Sequence, residues 1–556
     1  MASGSGAGGG CGLDPCGLDA SDVPSVAEER KLRGGYYTPP TVAHFLADWA
    51  IRDGSTRVLE PSAGDGEVVV AAEARLQDGG EIVAVELVPD EAAHVSARSN
   101  GNATVVSGDF FEWATERWDG RGFDAVVVNP PFIRYQDFQE EHRERAFSLM
   151  RAQGLHPSRL TNAWLPFVAV ATSMLNPGGR IALVLPAELL QVNYAAELRQ
   201  FLARQFAHVV LVTFRRLVFD GTQQEVVLLL GSIGGGEDAT IRIVQLDDID
   251  DLARVDLEAE GGAVLDLDHA SEKWTQFYLS RSELGLVRGI EDSQDFTPLG
   301  RLASVDVGVV TGRNEFFVLD RDQARARKLR RWCVPLVGRS SQVPGLRFDE
   351  DHWAALLAEG ERVLLLQLGD KGRRTLATAA RSYVEEGETQ GFDQGYKCRI
   401  RLPNWWKVPS DWVPGAFMLR QIHDAPRIIA NSSRATCTDT IHRLRIADGV
   451  KVDSLAAASV SSLTAAFAEI RGRSYGGGVL ELEPREAEAL PFPAKFPKVH
   501  FKEIDAAVHR RELERAMDLA DQSVLPSLGM TSNDRLLLRG IWHRLANRRH
   551  DRGRRR

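Results

Sequence analysis

From Thr56 to about Gly231 the chain repeats one pattern, a short apolar run followed by a longer helix-favouring segment. The apolar runs are continuous and do not alternate with polar residues. A strand covered on one face alternates, whereas a strand covered on both faces is apolar throughout, the condition of a parallel sheet with helices on each side. The predicted strands are Thr56–Glu60, Ile82–Glu86, Thr104–Ser107, Asp124–Asn129, Arg180–Leu185, Val209–Phe214 and Glu225–Leu230. The helices predicted between them include Asn162–Leu175, closed by the turn Asn176-Pro177-Gly178-Gly179, and Ala187–Arg204. The expected fold class is therefore α/β, a doubly wound, Rossmann-like domain.

That domain does not use up the chain, since 556 residues allow roughly three to four domains. The first thirty residues are rich in Gly and Ser and lack an apolar segment, so 1–30 is read as a flexible tail and not as a signal peptide. The catalytic domain is expected over 31–240 and a connecting region, opened by the turn-rich IGGGED, over 241–300. Residues 301–500 are irregular and rich in Gly, Trp and Arg. Residues 501–556 favour helix and end in an Arg-rich stretch. No apolar run approaches the roughly 20 residues that span a bilayer, so no membrane association is expected, and the few, scattered cysteines fit a reducing cytoplasm. Five cysteines without a CxxC pair suggest neither a disulfide framework nor a metal site. A net charge of -10 argues against indiscriminate coating of nucleic acid but leaves room for local basic surfaces. Two candidates are Ala324–Arg331 and Arg535–Arg556, each of which also reads as a solvated helix face or a tail.

The first predicted strand runs into Glu60-Pro61-Ser62-Ala63-Gly64-Asp65-Gly66. Glycines directly after a parallel strand let the backbone approach a ligand at the sheet's carboxyl edge. A dinucleotide site would show a third glycine, but Val69 stands there. The loop also opens on an acid, which repels a pyrophosphate and suits the ammonium of a methionine moiety. Glu86, about twenty residues on, ends the second strand, where an acid accepts hydrogen bonds from ribose hydroxyls. Asp109-Phe110 follows the third strand and can bond and pack an adenine ring. Together these point to S-adenosylmethionine.

The fourth strand ends in Asn129-Pro130-Pro131-Phe132. An exocyclic amine of adenine is a poor nucleophile because its lone pair is delocalised into the ring. The Asn129 side-chain carbonyl can accept one amino proton and the Pro130 carbonyl the other, drawing the nitrogen toward sp³ geometry. The two prolines fix the backbone that presents that carbonyl. Positioning and preorganised electrostatics do the work here, and no metal is required. Phe132 can stack on a base turned out of the duplex.

On these motifs the chain resembles the amino-type DNA methyltransferases, in particular the gamma arrangement of N6-adenine methylases of type II restriction–modification systems. The likeness covers residues 31–235 and is looser beyond. It implies a class I methyltransferase domain followed by a C-terminal mixed α/β target recognition domain over 301–500. It further implies that Tyr37, Thr38 and Pro39, within Gly35-Tyr36-Tyr37-Thr38-Pro39, touch the methionine end of the cofactor. Glu60, Ala63, Gly64 and Gly66 match the first cofactor motif, Glu86 the ribose acid and Asp109-Phe110 the adenine pair. Phe219, in LVFDGTQQEVVLLLG, matches an aromatic on the other face of the flipped adenine, and also reads as a core phenylalanine. Val310–Phe317, Arg427–Asn431 and Arg473–Gly478 resemble recognition-region segments. The partners implied are double-stranded DNA with base flipping and a separately acting cognate restriction endonuclease, with the enzyme a monomer.

Other readings of the same loop stay open. A protein-glutamine methylase shares it because a carboxamide nitrogen is equally inert, though such an enzyme lacks the Tyr-Thr-Pro element and the long C-terminal half. RNA adenine and N4-cytosine methylation are further alternatives. A non-catalytic DNA-binding subunit is the alternative from outside enzymology. Lys397–Arg401 with Trp405 and Trp406, and His423 with Arg427, are basic and aromatic clusters that a DNA reader can use; the tryptophans also suit a core.

Overall fold

The computed structural model describes residues 37–52, 55, 57–219, 225–234, 240–257, 266–269, 271–369, 372–408, 412–474 and 478–553. The predicted tail 1–30, Gly35-Tyr36, most of IGGGED and Tyr475-Gly476-Gly477 lie outside the described residues. The chain forms two compact units, the first ending at Asn176 and the second starting at Pro177.

In the first unit four parallel strands lie in the order β3-β2-β1-β4: β1 (Arg57–Glu60), β2 (Glu81–Glu86), β3 (Ala103–Ser107) and β4 (Phe123–Val128). Val58 pairs with both Ile82 and Ala125, which sets β1 between its neighbours. All four residues of β1 are buried, and β4 is nearly so, as continuous apolar runs require. β3, last in the order, is half-covered, and its sequence carries Thr104 and Ser107. Around the sheet run α1 (Pro40–Ala50), α2 (Glu67–Glu73), α3 (Pro89–Arg98), α4 (Phe110–Glu116), α5 (Glu140–Ala152) and α6 (Trp164–Ser173). α1 starts on a proline at its first turn and buries Val42, Ala43, Leu46, Ala47 and Ala50, one stripe at helical spacing. α6 is buried almost all round, as its composition WLPFVAVAT demands. Because the strands are parallel, the loops after β1, β2, β3 and β4 all emerge at one edge.

The second unit carries strands in the order β5-β7-β6-β8: β5 (Leu175–Pro186), β6 (Phe206–Phe214), β7 (Val226–Ile233) and β8 (Thr240–Leu246). β7 runs antiparallel to both β5 and β6, while β8 is parallel to β6. Two expectations need correcting. The turn Asn176-Pro177-Gly178-Gly179 belongs to the leading end of β5, although Gly178 keeps a left-handed φ of 77° and pairing with β7 starts only at Arg180. The predicted helix Ala187–Arg204 is broken into Glu188–Gln191, a 3-10 turn at Asn193–Ala195, and α7 (Ala196–Gln205). Buried Arg199 explains the break, since its Nη1 donates to the carbonyls of Leu189 and Val192 that a continuous helix would have used. The Gln191 side chain meanwhile exchanges two hydrogen bonds with the backbone of Ser474, both 2.9 Å.

The segment read as a connecting region contains β8 and a helix, Arg281–Asp292, whose Ser280 and Glu283 form a capping box. Beyond it a five-stranded sheet runs in the order Ala303–Val307, Ile441–Ile446, Ala416–Leu419, Ile428–Asn431, Arg347–Phe348. A four-stranded sheet orders Val318–Leu319, Leu364–Leu366, Cys333–Val337 and Thr436–Cys437. One core gathers Leu444, Phe467, Ile504 and Leu538; another gathers Phe316, Leu365, Trp405, Trp406 and Phe417. Trp405 and Trp406 are thus core residues. Cys333, Cys398 and Cys437 are buried free thiols.

The chain ends in the helices Phe501–His509, Leu513–Ser527 and Ser532–Gly553. Arginines of the last are tied to acids: Arg539 to Asp518 and Asp521, Arg544 to Glu283, Arg548 to Glu225 and Arg549 to Glu469. Arg539, Arg544, Arg548 and Arg549 are therefore neutralised within their own unit, while Arg554–Arg556 of the Arg-rich end lie outside the described residues. Among the described residues no helix is long and apolar enough to cross a membrane.

Candidate active site

A cavity of about 760 Å³ opens in the first unit, lined by the loops at the carboxyl edge of β1 to β4. It brings together Tyr37, Thr38, Ala63, Gly64, Glu86, Asp109, Phe110, Asn129 and Pro131, residues from five separate stretches of sequence. Pro39, Glu60, Gly66, Pro130 and Phe132 are not among its lining residues. Glu60 and Pro130 are buried and Phe132 is half-buried. Phe219 belongs to the second unit, where it is buried.

The loop after β1 is shaped by its glycines. Gly64 and Gly66 hold φ of 56° and 85°, values a side chain rarely adopts. At Gly66 an added Cβ would also press on Val95 of α3 at 3.3 Å. Glu86 fixes this loop from the end of β2, accepting Gly64 N–H at 2.8 Å on one oxygen and Val88 N–H at 2.9 Å on the other. Each oxygen retains acceptor capacity, which is what a ribose diol needs.

Asp109 caps α4 by accepting Glu112 N–H at 2.8 Å. Phe110, next to it, stacks on Phe167 of α6 with centroids 5.3 Å apart and planes at 16°, giving the cavity an aromatic floor. Asn129, at the end of β4, donates from Nδ2 to Thr38 Oγ1 at 3.2 Å. That bond joins the Tyr37-Thr38-Pro39 element to the tetrapeptide across 91 residues of sequence. Tyr37 is itself held through its hydroxyl on Glu91 at 3.0 Å.

Comparison with known proteins gives the family. Residues 88–219 match the family described as Eco57I restriction-modification methylase, and residues 271–525 match the type II methyltransferase M.Eco57I, C-terminal domain. The chain belongs to the type II restriction–modification methyltransferase family. Among its relatives, the type II methyltransferase M.XamI of Xanthomonas campestris pv. amaranthicola is 26% identical over 83% of this chain and 85% of its own. M.AccI of Acinetobacter calcoaceticus is 20% identical over the same shares. The Type IIL restriction–modification enzyme MmeI, solved in complex with DNA, has the same fold. Its TM-score is 0.56 at 12% identity, over 94% of this chain and 74% of that one.

In this methyltransferase four carboxylates at or behind the cavity, Glu60, Asp65, Glu86 and Asp109, share one electrostatic condition. Burial pushes Glu60 well above the usual carboxylate range, against the lowering effect of the Ser62 N–H, with the Glu86 charge pushing it further up. Burial also raises Glu86, against the Val88 and Gly64 N–H groups, and raises Asp65 and Asp109. Glu60 Oε2 is buried without a hydrogen-bond partner. An enclosed, under-compensated set of acids is a site that gains from a bound cation.

His142, on α5, is the contributor that motif reading missed. It lines the cavity, and its Nδ1 stands 3.2 Å from Asp109 Oδ2, a contact distance without hydrogen-bond alignment. Its charge, when protonated, opposes the effect of burial on Asp109, as does Arg145. Nothing in the spacing of QEEHRER distinguishes such a histidine from a surface one. Phe167 escaped notice similarly, as one apolar residue in an apolar helix.

Proposed function

We propose that this chain is a site-specific DNA methyltransferase that uses S-adenosylmethionine to methylate the N6 amino group of adenine within a specific double-stranded sequence. The observation that carries the reading is Asn129, set at the end of β4 and lining the same cavity as Glu86 and Asp109. Support comes from the family match and from the fold shared with MmeI, itself solved in complex with DNA.

The residues present fit that cofactor. Glu86 offers acceptors to ribose hydroxyls, Asp109 with Phe110 receives an adenine ring, and the unpartnered Glu60 oxygen behind the loop balances an ammonium charge. When bound, S-adenosylmethionine supplies an electrophilic methyl group on sulfonium. The chain's own contribution is to the nucleophile. The bond to Thr38 uses a donor of the Asn129 carboxamide, and the acceptor end is what an amino proton needs. Pro130, with its ring-fixed φ, presents a second carbonyl. Phe132 is assigned to one face of the extruded base, and methylation by a monomer shields host DNA from a separate cognate endonuclease.

The direct test is transfer of tritiated methyl to DNA, followed by single-molecule sequencing of DNA from cells expressing the protein. N6-methyladenine in one sequence context is expected. Methylcytosine, or unmodified DNA, overturns the reading.

Thr38→Val keeps the shape of the side chain and removes the acceptor for Asn129. One such hydrogen bond is worth about 1 kcal/mol, so kcat should fall about fivefold, with cofactor affinity changed much less. An unchanged kcat would show that Asn129 is oriented by other contacts.

The raised acids give a pH prediction with a definite sign. Their folded-state pKa values lie above the unfolded ones, so the unliganded protein binds more protons than the unfolded chain between the two. Its stability therefore falls as pH rises from the ordinary carboxylate range through the raised values. A bound cation favours the ionised acids, so cofactor binding should release protons and tighten over the same window. Calorimetry of S-adenosylmethionine binding in buffers of different ionisation enthalpy reads this directly. Heats independent of the buffer would refute it.

A further inference from the structure

The two basic stretches singled out by composition are largely spoken for. The final helix is paired to acids, and in the Ala324–Arg331 stretch Arg327 bonds Glu386 at 2.8 Å while Arg331 lies over the Trp332 ring. A different basic surface arises where two remote segments meet. Arg401 braces them, donating from Nε to the Lys397 carbonyl and from Nη1 to the Lys407 carbonyl, both 2.7 Å, and from Nη2 to the Thr311 carbonyl. Gly312, with φ of 81°, lies so close that a Cβ there would come within 2.7 Å of Lys397 Cβ. Gly395 similarly faces Arg313 Nε, 3.1 Å from where a Cβ would be. Beneath, Phe316 and Trp405 pack with centroids 4.6 Å apart and root the knuckle in the core.

The outer surface of this knuckle is unusual in two respects. Tyr396, Ile400 and Leu402 are 66%, 62% and 58% exposed, three of the few large apolar side chains so open to solvent among the described residues. Arg313, Lys397 and Arg399 are exposed beside them. Among the described residues no carboxylate forms an ion pair with any of these three cations, and Lys397 leans over the Tyr396 ring at 5.5 Å. In a chain of net charge -10, unpaired cations interleaved with bare apolar groups fit a polyanion that also exposes apolar edges. Duplex DNA is such a partner, with phosphates for the cations and thymine methyls and sugar edges for the apolar groups. Self-association by this face fits poorly, because a two-fold interface would set the same cations against one another.

We propose that this knuckle, Arg313 with Tyr396–Leu402, is a duplex-DNA contact of the methyltransferase. Lys397, Arg399 and Arg313 hold phosphates, while Tyr396, Ile400 and Leu402 lie along the groove edge. The proposal rests on the DNA-methylation reading and adds a location to it.

The test uses the full-length protein and a fluorescent duplex carrying its methylated sequence, titrated over a range of salt. Lys397→Gln with Arg399→Gln should weaken binding about tenfold or more and flatten the slope of log K against log[salt] by roughly 1 to 2. Tyr396→Ala with Ile400→Ala should weaken binding at unchanged slope. Binding of S-adenosylhomocysteine should match the parent in both, which shows that the first unit is intact. Parent-like DNA binding by both double variants, while the parent methylates DNA, overturns this proposal alone. So does a concentration-dependent dimer abolished by the apolar pair at unchanged DNA affinity. A parent protein that neither binds nor methylates duplex DNA overturns the functional reading as well.

Discussion

Asn129→Ala should reduce methyl transfer by about 10² to 10³-fold, the cost of removing one preorganised polar group that acts in the transition state. The loss should fall on kcat. Asn129 lines the cavity at the Thr38 side, whereas Glu86 and the Asp109–Phe110 pair stand on other loops and keep their own supports, Gly64, Val88 and Glu112. Cofactor affinity should therefore change by a small factor, and duplex binding should persist. Single-turnover methylation with saturating DNA separates these effects from product release. Asn129→Asp is the sharper companion, since it keeps the size and an acceptor oxygen but adds charge in a cavity already crowded with raised acids. It should be no more active than the alanine variant, and its cofactor affinity should become more dependent on pH. Retention of more than a tenth of parental kcat by Asn129→Ala would mean that another group activates the amine.

The strands of the first unit were legible because a parallel sheet covered on both faces imposes an unmistakable pattern, and the predicted ends agree to within a residue or so at β1 to β4. The placement of Asn129, Glu86 and Asp109 in one cavity followed from the same logic, since parallel strands bring their carboxyl ends to one edge. What stayed hidden depends on contacts between distant residues. Periodicity supports a helix over Ala187–Arg204, and only Arg199 reaching back to the Leu189 and Val192 carbonyls shows why it breaks. His142 gains significance solely by standing against Asp109. The Arg-rich end shows the limit of composition most clearly. Counted along the sequence it is a basic patch; in three dimensions Arg539, Arg544, Arg548 and Arg549 meet carboxylates from residues 225 to 521. The knuckle at Tyr396–Leu402 is the reverse case: Lys397–Arg401 reads as basic along the sequence, and among the described residues no carboxylate pairs with Lys397 or Arg399.

The most consequential of those pairs is Arg549 with Glu469, 80 residues apart and exposed by only 1% and 3%. Arg549 Nε donates to both Glu469 oxygens at 3.0 and 3.1 Å, Nη2 donates to Oε1 at 2.7 Å, and Nη1 donates to the Gly478 carbonyl at 2.6 Å. The pair locks the final helix, Ser532–Gly553, against Ser462–Arg471. Glu469→Ala leaves a guanidinium buried without its counter-charge, which costs about 3–5 kcal/mol, because an unpaired buried ion keeps its full desolvation penalty. The partly exposed pair Arg544–Glu283 should matter far less, on the order of 1 kcal/mol or below. A chain of two units need not unfold in one step, so the loss is best read locally, by hydrogen exchange of amides around Leu545 to Arg549. Those amides should exchange faster in Glu469→Ala while amides of β1 and β4 in the first unit keep parental protection. Glu469→Leu combined with Arg549→Met removes both charges and fills the space with apolar side chains, and should recover most of the protection, since replacing a whole buried pair is often neutral or stabilising. If the double variant opens as readily as the single one, the pair contributes through the Gly478 carbonyl bond and helix packing, and charge compensation is not what holds the last helix in place.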